Sequence, residues 1–224
     1  MTEQAATPAT EEYLAVIYRL SRQAEPVPLA LLAEQLGISP ISANEMVRKL
    51  ARAEMVTYRP YEGVTLTEAG RQRAEVMVRR HRLWERLLTD VLGLPWDAVH
   101  AEAGRLEHAT SDLLERHLAQ YLEQPSTCPH GNPIPGQPQR LEGARALSSL
   151  ATGERGRVLA VVNEDAALLR ALGQAGLVPG AELEVVAAEP ALGSLAVRVG
   201  DRHVALALAA AAQIMVGAPE GQGS

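Results

Sequence analysis

The sequence has one cysteine, Cys128, in 224 residues. A single thiol forms no intramolecular disulfide and no multi-thiolate zinc site by itself. That fits a reducing compartment and turns any metal site towards imidazole and carboxylate ligands. No apolar run approaches the roughly 20 residues that cross a bilayer, so membrane insertion is set aside. No basic segment followed by an apolar stretch opens the chain. "MTEQAATPAT" reads as a short flexible lead-in, and the expected location is cytoplasmic. Repeats are absent, as is low complexity beyond one proline-rich segment. Net positive charge is missing too: at −6, a protein whose whole surface binds nucleic acid is excluded. What is present, 47% hydrophobic and 21% charged residues, suits a globular chain with room for two modest domains.

The average charge hides a local reversal. Between Ser39 and Arg82 nine basic residues face five acidic ones, an electrostatic footprint for phosphate. The surrounding pattern explains where that charge sits. Thr10 can cap a first helix carrying Tyr13, Leu14, Ile17 and Leu20 at helical spacing. "PLALLAEQLG" gives a short second helix stopped by Gly37. "SPISANEMVRKLARAEM" gives a third after a Ser-Pro entry, and "MVTYRPYEGVTLT" reads as a hairpin. Helix, helix, turn, helix, hairpin is the order of a winged helix-turn-helix. A recognition helix presents small polar groups at its start and cations further along. Here Ser39, Pro40, Ser42, Asn44 and Glu45 lead, and Arg48, Lys49 and Arg52 follow. Arg59 and Tyr61 at the hairpin tip are placed for the neighbouring DNA backbone. No arginine stands at the helix start to read guanine, so sequence preference falls to these polar groups, to apolar contact from Ile41 and to DNA shape.

A long helix is expected from Thr67 to Gly93, then another from Trp96, with a break near Thr110-Ser111. Residues 124–139, "QPSTCPHGNPIPGQPQ", hold five prolines and two glycines, and read as a boundary. Beyond it "GRVLAVV", "AELEVVAA", "SLAVRVG", "HVALAL" and "QIMVGA" are short β-rich runs around one helical insert, the pattern of a small closed SH3-type barrel. The expected fold class is therefore mainly α with small β: a winged helix-turn-helix over residues 1–70, a helical region over 71–124, a proline-rich linker over 125–146 and an SH3-like domain over 147–218.

The helical region carries the second candidate site. His100, Glu107 and His108 point the same way on one helix, with Gly104 between them. His81 and Glu85 are i,i+4 neighbours on the preceding helix, and Glu12 adds a carboxylate from the first. Imidazole and carboxylate without thiolate suit Mn, Fe, Co, Ni or Zn, with the harder end favoured. Each residue also has a plain alternative, as a first-turn dipole residue, an exposed ion pair or a solvated face. His117 and His203 lie outside the shared faces and read as surface residues. His130 in "CPHG" reads as part of a turn rather than a ligand.

From about Thr10 to Gly217 the chain resembles the diphtheria-toxin-repressor family of metal-dependent regulators. The resemblance rests on "EEYLAVIYRL", "HRLWERLLTDVLGL", "VHAEAGRLEHATSDLLERHL", "CPHGNPIPG", "AGLVPGAELEVV" and "LAVRVGD". It implies a homodimer that binds double-stranded operator DNA at two half-sites, with no membrane and no small-molecule substrate. It further implies an activating site at Glu12, Glu107 and His108, and an ancillary site at His81, Glu85 and His100, with Glu164 or Asp165 as third-domain candidates. Where family members place Cys or Glu three residues before the Glu-His pair, this sequence has Gly104, for which Glu102 is a possible replacement. A carboxylate at position 12 and no thiolate point to Mn(II), with Fe(II) as the other candidate. Two rivals stay open at this stage: a metallohydrolase, for which no nucleophile–base motif appears, and a metal-independent DNA-binding adaptor.

Overall fold

The computed structural model describes residues 7–22, 24–138, 141 and 143–219. Most of the lead-in lies outside them, as do three positions of the expected linker. The chain divides into two compact units, residues 1–80 and 81–224.

In the first unit α1 (Pro8–Ser21), α2 (Leu29–Leu36) and α3 (Pro40–Arg52) precede a hairpin of β1 (Val56–Arg59) and β2 (Gly63–Leu66). The N-cap of α1 is Thr7 rather than Thr10: the Thr7 hydroxyl accepts from the Thr10 amide, and Pro8 takes the first helical position. The Thr-Pro pair supplies both a cap and a residue that needs no amide partner, so the helix starts one turn earlier than expected. Ser39 and Pro40 repeat that arrangement on α3. Leu14, Ile17, Leu32, Val47, Leu50, Val56 and Val64 form one core, fixing α3 against the hairpin. The helix α4 (Glu68–Arg86) begins here and ends in the second unit.

The second unit continues α4 into a π-helical turn over Leu87–Val91, then α5 (Val99–Leu106) and α6 (Asp112–Tyr121), which is capped by Ser111. Its β portion is one sheet. The strands are β3 (Arg145–Ala146), β4 (Arg155–Val161), β5 (Glu182–Glu189), β6 (Ser194–Val199), β7 (Arg202–Ala207) and β8 (Ile214–Gly217), in the order β3-β8-β4-β5-β6-β7. Helix α7 (Ala166–Ala175) follows β4, and α8 (Leu208–Ala211) follows β7. Bulges at Val158/Ala160 and Val185/Ala187 curl the sheet around Leu169, Leu172, Val185, Val197 and Ile214. The expected closed barrel is not formed: closure needs the edge strands paired, and β3 has two residues.

The proline-rich segment is packed rather than loose. Cys128, His130, Asn132 and Ile134 are buried, and Ile134 joins Leu83, Leu118 and Ala119 in a small core between α4 and α6. Arg82 donates to the Pro133 carbonyl, and Arg86 to the Thr127 carbonyl and hydroxyl. Arg82, counted above with the basic footprint, is thus a buried structural cation.

Candidate metal centre

The centre assembles from four places in the second unit. Helix α4 presents His81 and Glu85 one turn apart, α5 presents His100 from its first turn, and Glu164 comes from the β4–α7 connection. The fourth contribution is a turn at 128–132. It is closed by the Cys128 amide on the Asn132 carbonyl at 2.9 Å and the Gly131 amide on the Cys128 carbonyl at 2.9 Å. Gly131 has φ +84°, and a Cβ there would collide with the Leu159 carbonyl. Only glycine permits this approach to β4, and it swings His130 into the cluster.

The donor atoms converge. His81 Nε2 lies 3.1 Å from Glu85 Oε1 and 2.9 Å from His100 Nδ1, and His100 Nδ1 lies 3.2 Å from Glu85 Oε1 and 2.7 Å from Glu164 Oε2. His130 Nδ1 faces Glu85 Oε1 at 3.5 Å and Glu164 Oε1 at 3.7 Å, with Cys128 Sγ 3.7 Å away. Two overlapping donor sets result, His81/Glu85/His100/Glu164 and Glu85/Cys128/His130/Glu164, each with its atoms within 4.8 Å of one another. The outer ring nitrogens fix the tautomers. His81 Nδ1–H donates to Glu107 Oε2 at 2.5 Å, and His130 Nε2–H to the Trp96 carbonyl at 2.7 Å. With the outer N–H groups so engaged, the proton that a binding cation displaces is the one on the inner nitrogen, whose lone pair then faces the cluster, the usual support of a metal-bound imidazole.

The electrostatics ask for a cation. Glu85 is fully buried, and its Oε2 has no hydrogen-bond partner among the described residues. Burial opposes charge on His81, but Glu85 and Glu107 outweigh it and hold the imidazole up at about 9. His100 and His130 are raised against the same burial, His100 by Glu164 and Glu85, His130 by Cys128, Glu164 and Glu85. Glu85 and Glu164 are correspondingly lowered by the imidazoles despite burial. Burial and Glu85 push the Cys128 thiol up to about 11, so it needs a cation to ionise. An orphaned buried carboxylate oxygen and converging imidazole nitrogens fit a divalent ion better than they fit a solvated surface or a dry core.

The other expected ligands stand as follows. Glu107 is buried, and its Oε1 lies 3.5 Å from His108 Nε2. Glu12 on α1 is half-exposed and pairs with Arg19 at 3.3 Å. Glu102 is bound to Arg105 at 2.6 Å, and Asp165 caps α7 through the Leu168 amide, so both are outside the cluster. A Cβ at Gly104 would meet nothing within 4 Å. His117 and His203 are exposed. His130 and Cys128 are functional candidates that the sequence reading passed over; the glycine after His130, read as a demand for positive φ, was the available signal.

In the first unit Ser39, Pro40, Ile41, Ser42, Glu45, Arg48, Lys49 and Arg52 are exposed on α3, while Ala43, Val47 and Leu50 face inward. Ser39 is engaged as the cap, accepting from the Ser42 amide at 3.1 Å. Asn44 accepts from Arg48 Nε at 3.4 Å, and Arg59 pairs with Glu62 at 3.2 Å. Tyr61, at φ +69°, projects fully into solvent at the hairpin tip. A groove of about 650 Å³ lies between α3 and the hairpin, bordered by Ile41, Arg48, Tyr58 and Tyr61.

The exposed helix and hairpin of the first unit, and the buried imidazole–carboxylate cluster of the second, define a winged-helix protein with a candidate divalent-metal site. Comparison with known proteins gives the particular family. Residues 6–64 match the iron-dependent repressor N-terminal DNA-binding domain, residues 67–136 the iron-dependent repressor metal-binding and dimerisation domain, and residues 145–218 the FeoA domain. The chain is 37% identical to the iron-dependent repressor IdeR of Mycobacterium leprae, over 79% of this chain and 83% of that one. It is 42% identical to the diphtheria toxin repressor of Corynebacterium jeikeium over 60% of this chain. That match spans 56% of the corynebacterial protein, little more than half its length. Among solved structures, a manganese-dependent transcriptional repressor in complex with manganese is 36% identical, with a TM-score of 0.85 over 94% of this chain and all of that one. The IdeR of T. acidophilum is 26% identical, with a TM-score of 0.80 over 98% and 99%. The chain belongs to the diphtheria toxin repressor and iron-dependent repressor family, whose members are DNA-binding repressors; the metallohydrolase and metal-independent readings find no support there. None of the described helices is long and apolar enough to cross a membrane.

Proposed function

We propose that the protein is a homodimeric, cytoplasmic repressor of metal-homeostasis genes that binds operator DNA when Mn(II) or Fe(II) is plentiful. The observation that carries this reading is the convergence of donor atoms from His81, Glu85, His100 and Glu164 to within 4.8 Å of one another, with the second carboxylate oxygen of Glu85 buried and without a hydrogen-bond partner among the described residues. A bound divalent cation would take the place of the imidazole protons that balance these buried carboxylates in the metal-free protein. Glu107 serves two neighbours, taking the N–H of His81 on one oxygen and facing His108 with the other. Glu107 and His108 are proposed to hold a further cation. Residues 1–70 then bind DNA, 71–124 dimerise and hold metal, 125–146 connect, and 147–218 supply Glu164. Ser42, Asn44, Glu45, Arg48, Lys49 and Arg52 meet the major groove with Pro40 and Ile41, while Ser39 sets the helix start and Arg59 and Tyr61 reach the flanking backbone.

Donor chemistry favours the harder metals: the first set contains no sulfur. Metal at 100 times its dissociation constant contributes about 2.7 kcal/mol, enough for roughly a 100-fold change in DNA affinity if fully coupled. Fluorescence anisotropy with a duplex from the protein's own upstream region tests this. Binding is expected to tighten with Mn(II) or Fe(II) and to weaken in chelator; equal affinity in both refutes the proposal.

A further inference from the structure

Asn132 has no place in the donor sets, yet it is buried beside them with both amide hydrogens committed. Its Nδ2 donates to Glu164 Oε1 at 2.8 Å and to the Val161 carbonyl at 2.8 Å, while the backbone carbonyl of Asn132 accepts from the Cys128 amide and closes the 128–132 turn. Two acceptors on one side fix the orientation of the amide without ambiguity. Glu164 hydrogen-bonds or pairs with Asn132, His100 and His130, with Glu85, His81 and Cys128 also close by in the donor sets. The two imidazoles belong to the donor sets and must turn lone pairs to a cation when one binds. An amide N–H offers no lone pair and does not compete for the cation. The Asn132 bond is therefore the restraint on Glu164 that persists whether or not the centre is loaded.

From this geometry we infer that Asn132 is the positioning residue of Glu164, holding Oε1 so that Oε2 is presented to the His81/Glu85/His100 side as a single-oxygen ligand. Glu164 stands on a connection between β4 and α7, with three side-chain torsions to fix. Asn132 fixes them from the strand end through Val161 and from the proline-rich turn at once. An alanine here leaves the Val161 carbonyl and one Glu164 oxygen without that donor, and frees the carboxylate to rotate. The inference rests on reading the cluster as a metal centre, and the experiment separates the two.

Co(II) affinity of the full-length protein is measured by chelator competition for wild type, Asn132→Ala, Glu164→Ala, their double variant and Glu85→Gln, with metal-free melting temperatures recorded for each. Loss of a group that orients a metal ligand typically weakens binding by about 10- to 100-fold. Asn132→Ala is expected to lose about tenfold in the wild-type background and almost nothing once Glu164 is alanine, whatever its effect on melting. An equal loss in both backgrounds overturns the inference, because Asn132 then only braces the turn. Unchanged affinity in Glu164→Ala and in Glu85→Gln overturns the metal centre itself. If Asn132→Ala does not fold, Asn132→Asp, the same shape with the donor replaced by an acceptor, carries the same cycle with the same deciding comparison.

Discussion

Metal affinity of the centre should climb steeply with pH, and the size of the climb follows from His81. In the metal-free protein Glu85 and Glu107 hold this imidazole at about 9 against the opposition of burial. A cation needs the Nε2 lone pair, so it must displace a proton. With a pKa near 9 only about one molecule in a hundred carries neutral His81 at pH 7, which weakens metal binding roughly 100-fold relative to a fully deprotonated site. Apparent affinity should therefore rise about tenfold per pH unit between 6.5 and 8.5 for His81 alone. The same shift has a stability side. Because the folded pKa lies above the ordinary value of 6.5, protonated His81 stabilises the metal-free fold fully below pH 6.5, and that contribution, about 3 kcal/mol, is lost as pH rises through 9. The melting temperature of metal-free protein should fall over that window while the increment from added metal grows. Calorimetric titration of Co(II) in buffers of different ionisation enthalpy counts the protons released. Flat affinity from pH 6.5 to 8.5, with no proton release, refutes the reasoning.

Two further outcomes follow from local geometry. Gly104→Ala should raise the melting temperature by an amount equivalent to about 0.5–1 kcal/mol, since the position is interior to α5 and open; Gly104→Cys should also favour Zn(II) over Mn(II), because it sets a thiolate three residues before Glu107. A competition titration that shows no change in the Zn(II)/Mn(II) ratio counts against a metal site at Glu107 and His108. Glu62→Gln should leave folding almost untouched, as its ion pair with Arg59 is exposed. By releasing Arg59 it should steepen the salt dependence of DNA binding by about 0.9 in log–log slope, and an unchanged slope removes Arg59 from the interface.

The DNA-binding part was legible because its cues are local. Ser39-Pro40 starts α3, Gly37 ends α2 in the left-handed region, and two short β-rich runs around Pro60 and Gly63 form the hairpin. His81 and Glu85 could be paired by helical spacing, and the pair does share one buried face. The proline-rich segment defeated the same logic. Proline and glycine excluded helix and strand correctly, but said nothing of tertiary packing, and packing is what buries Cys128, His130 and Asn132. Glu164 and Asp165 were inseparable in sequence. The structure divides them by a backbone detail: Asp165 is spent as the cap of α7, and Glu164 turns inward. The six-stranded sheet was expected as five strands because β3 is too short to leave a periodic trace.

The central claim is that the buried cluster of His81, Glu85, His100 and Glu164 holds a divalent metal. Crystals of the full-length protein grown with Mn(II), measured on both sides of the manganese absorption edge, test it most directly. An anomalous peak within bonding distance of His81 Nε2, His100 Nδ1 and the Glu85 and Glu164 carboxylates is the predicted result. A saturated protein with no peak there contradicts the account.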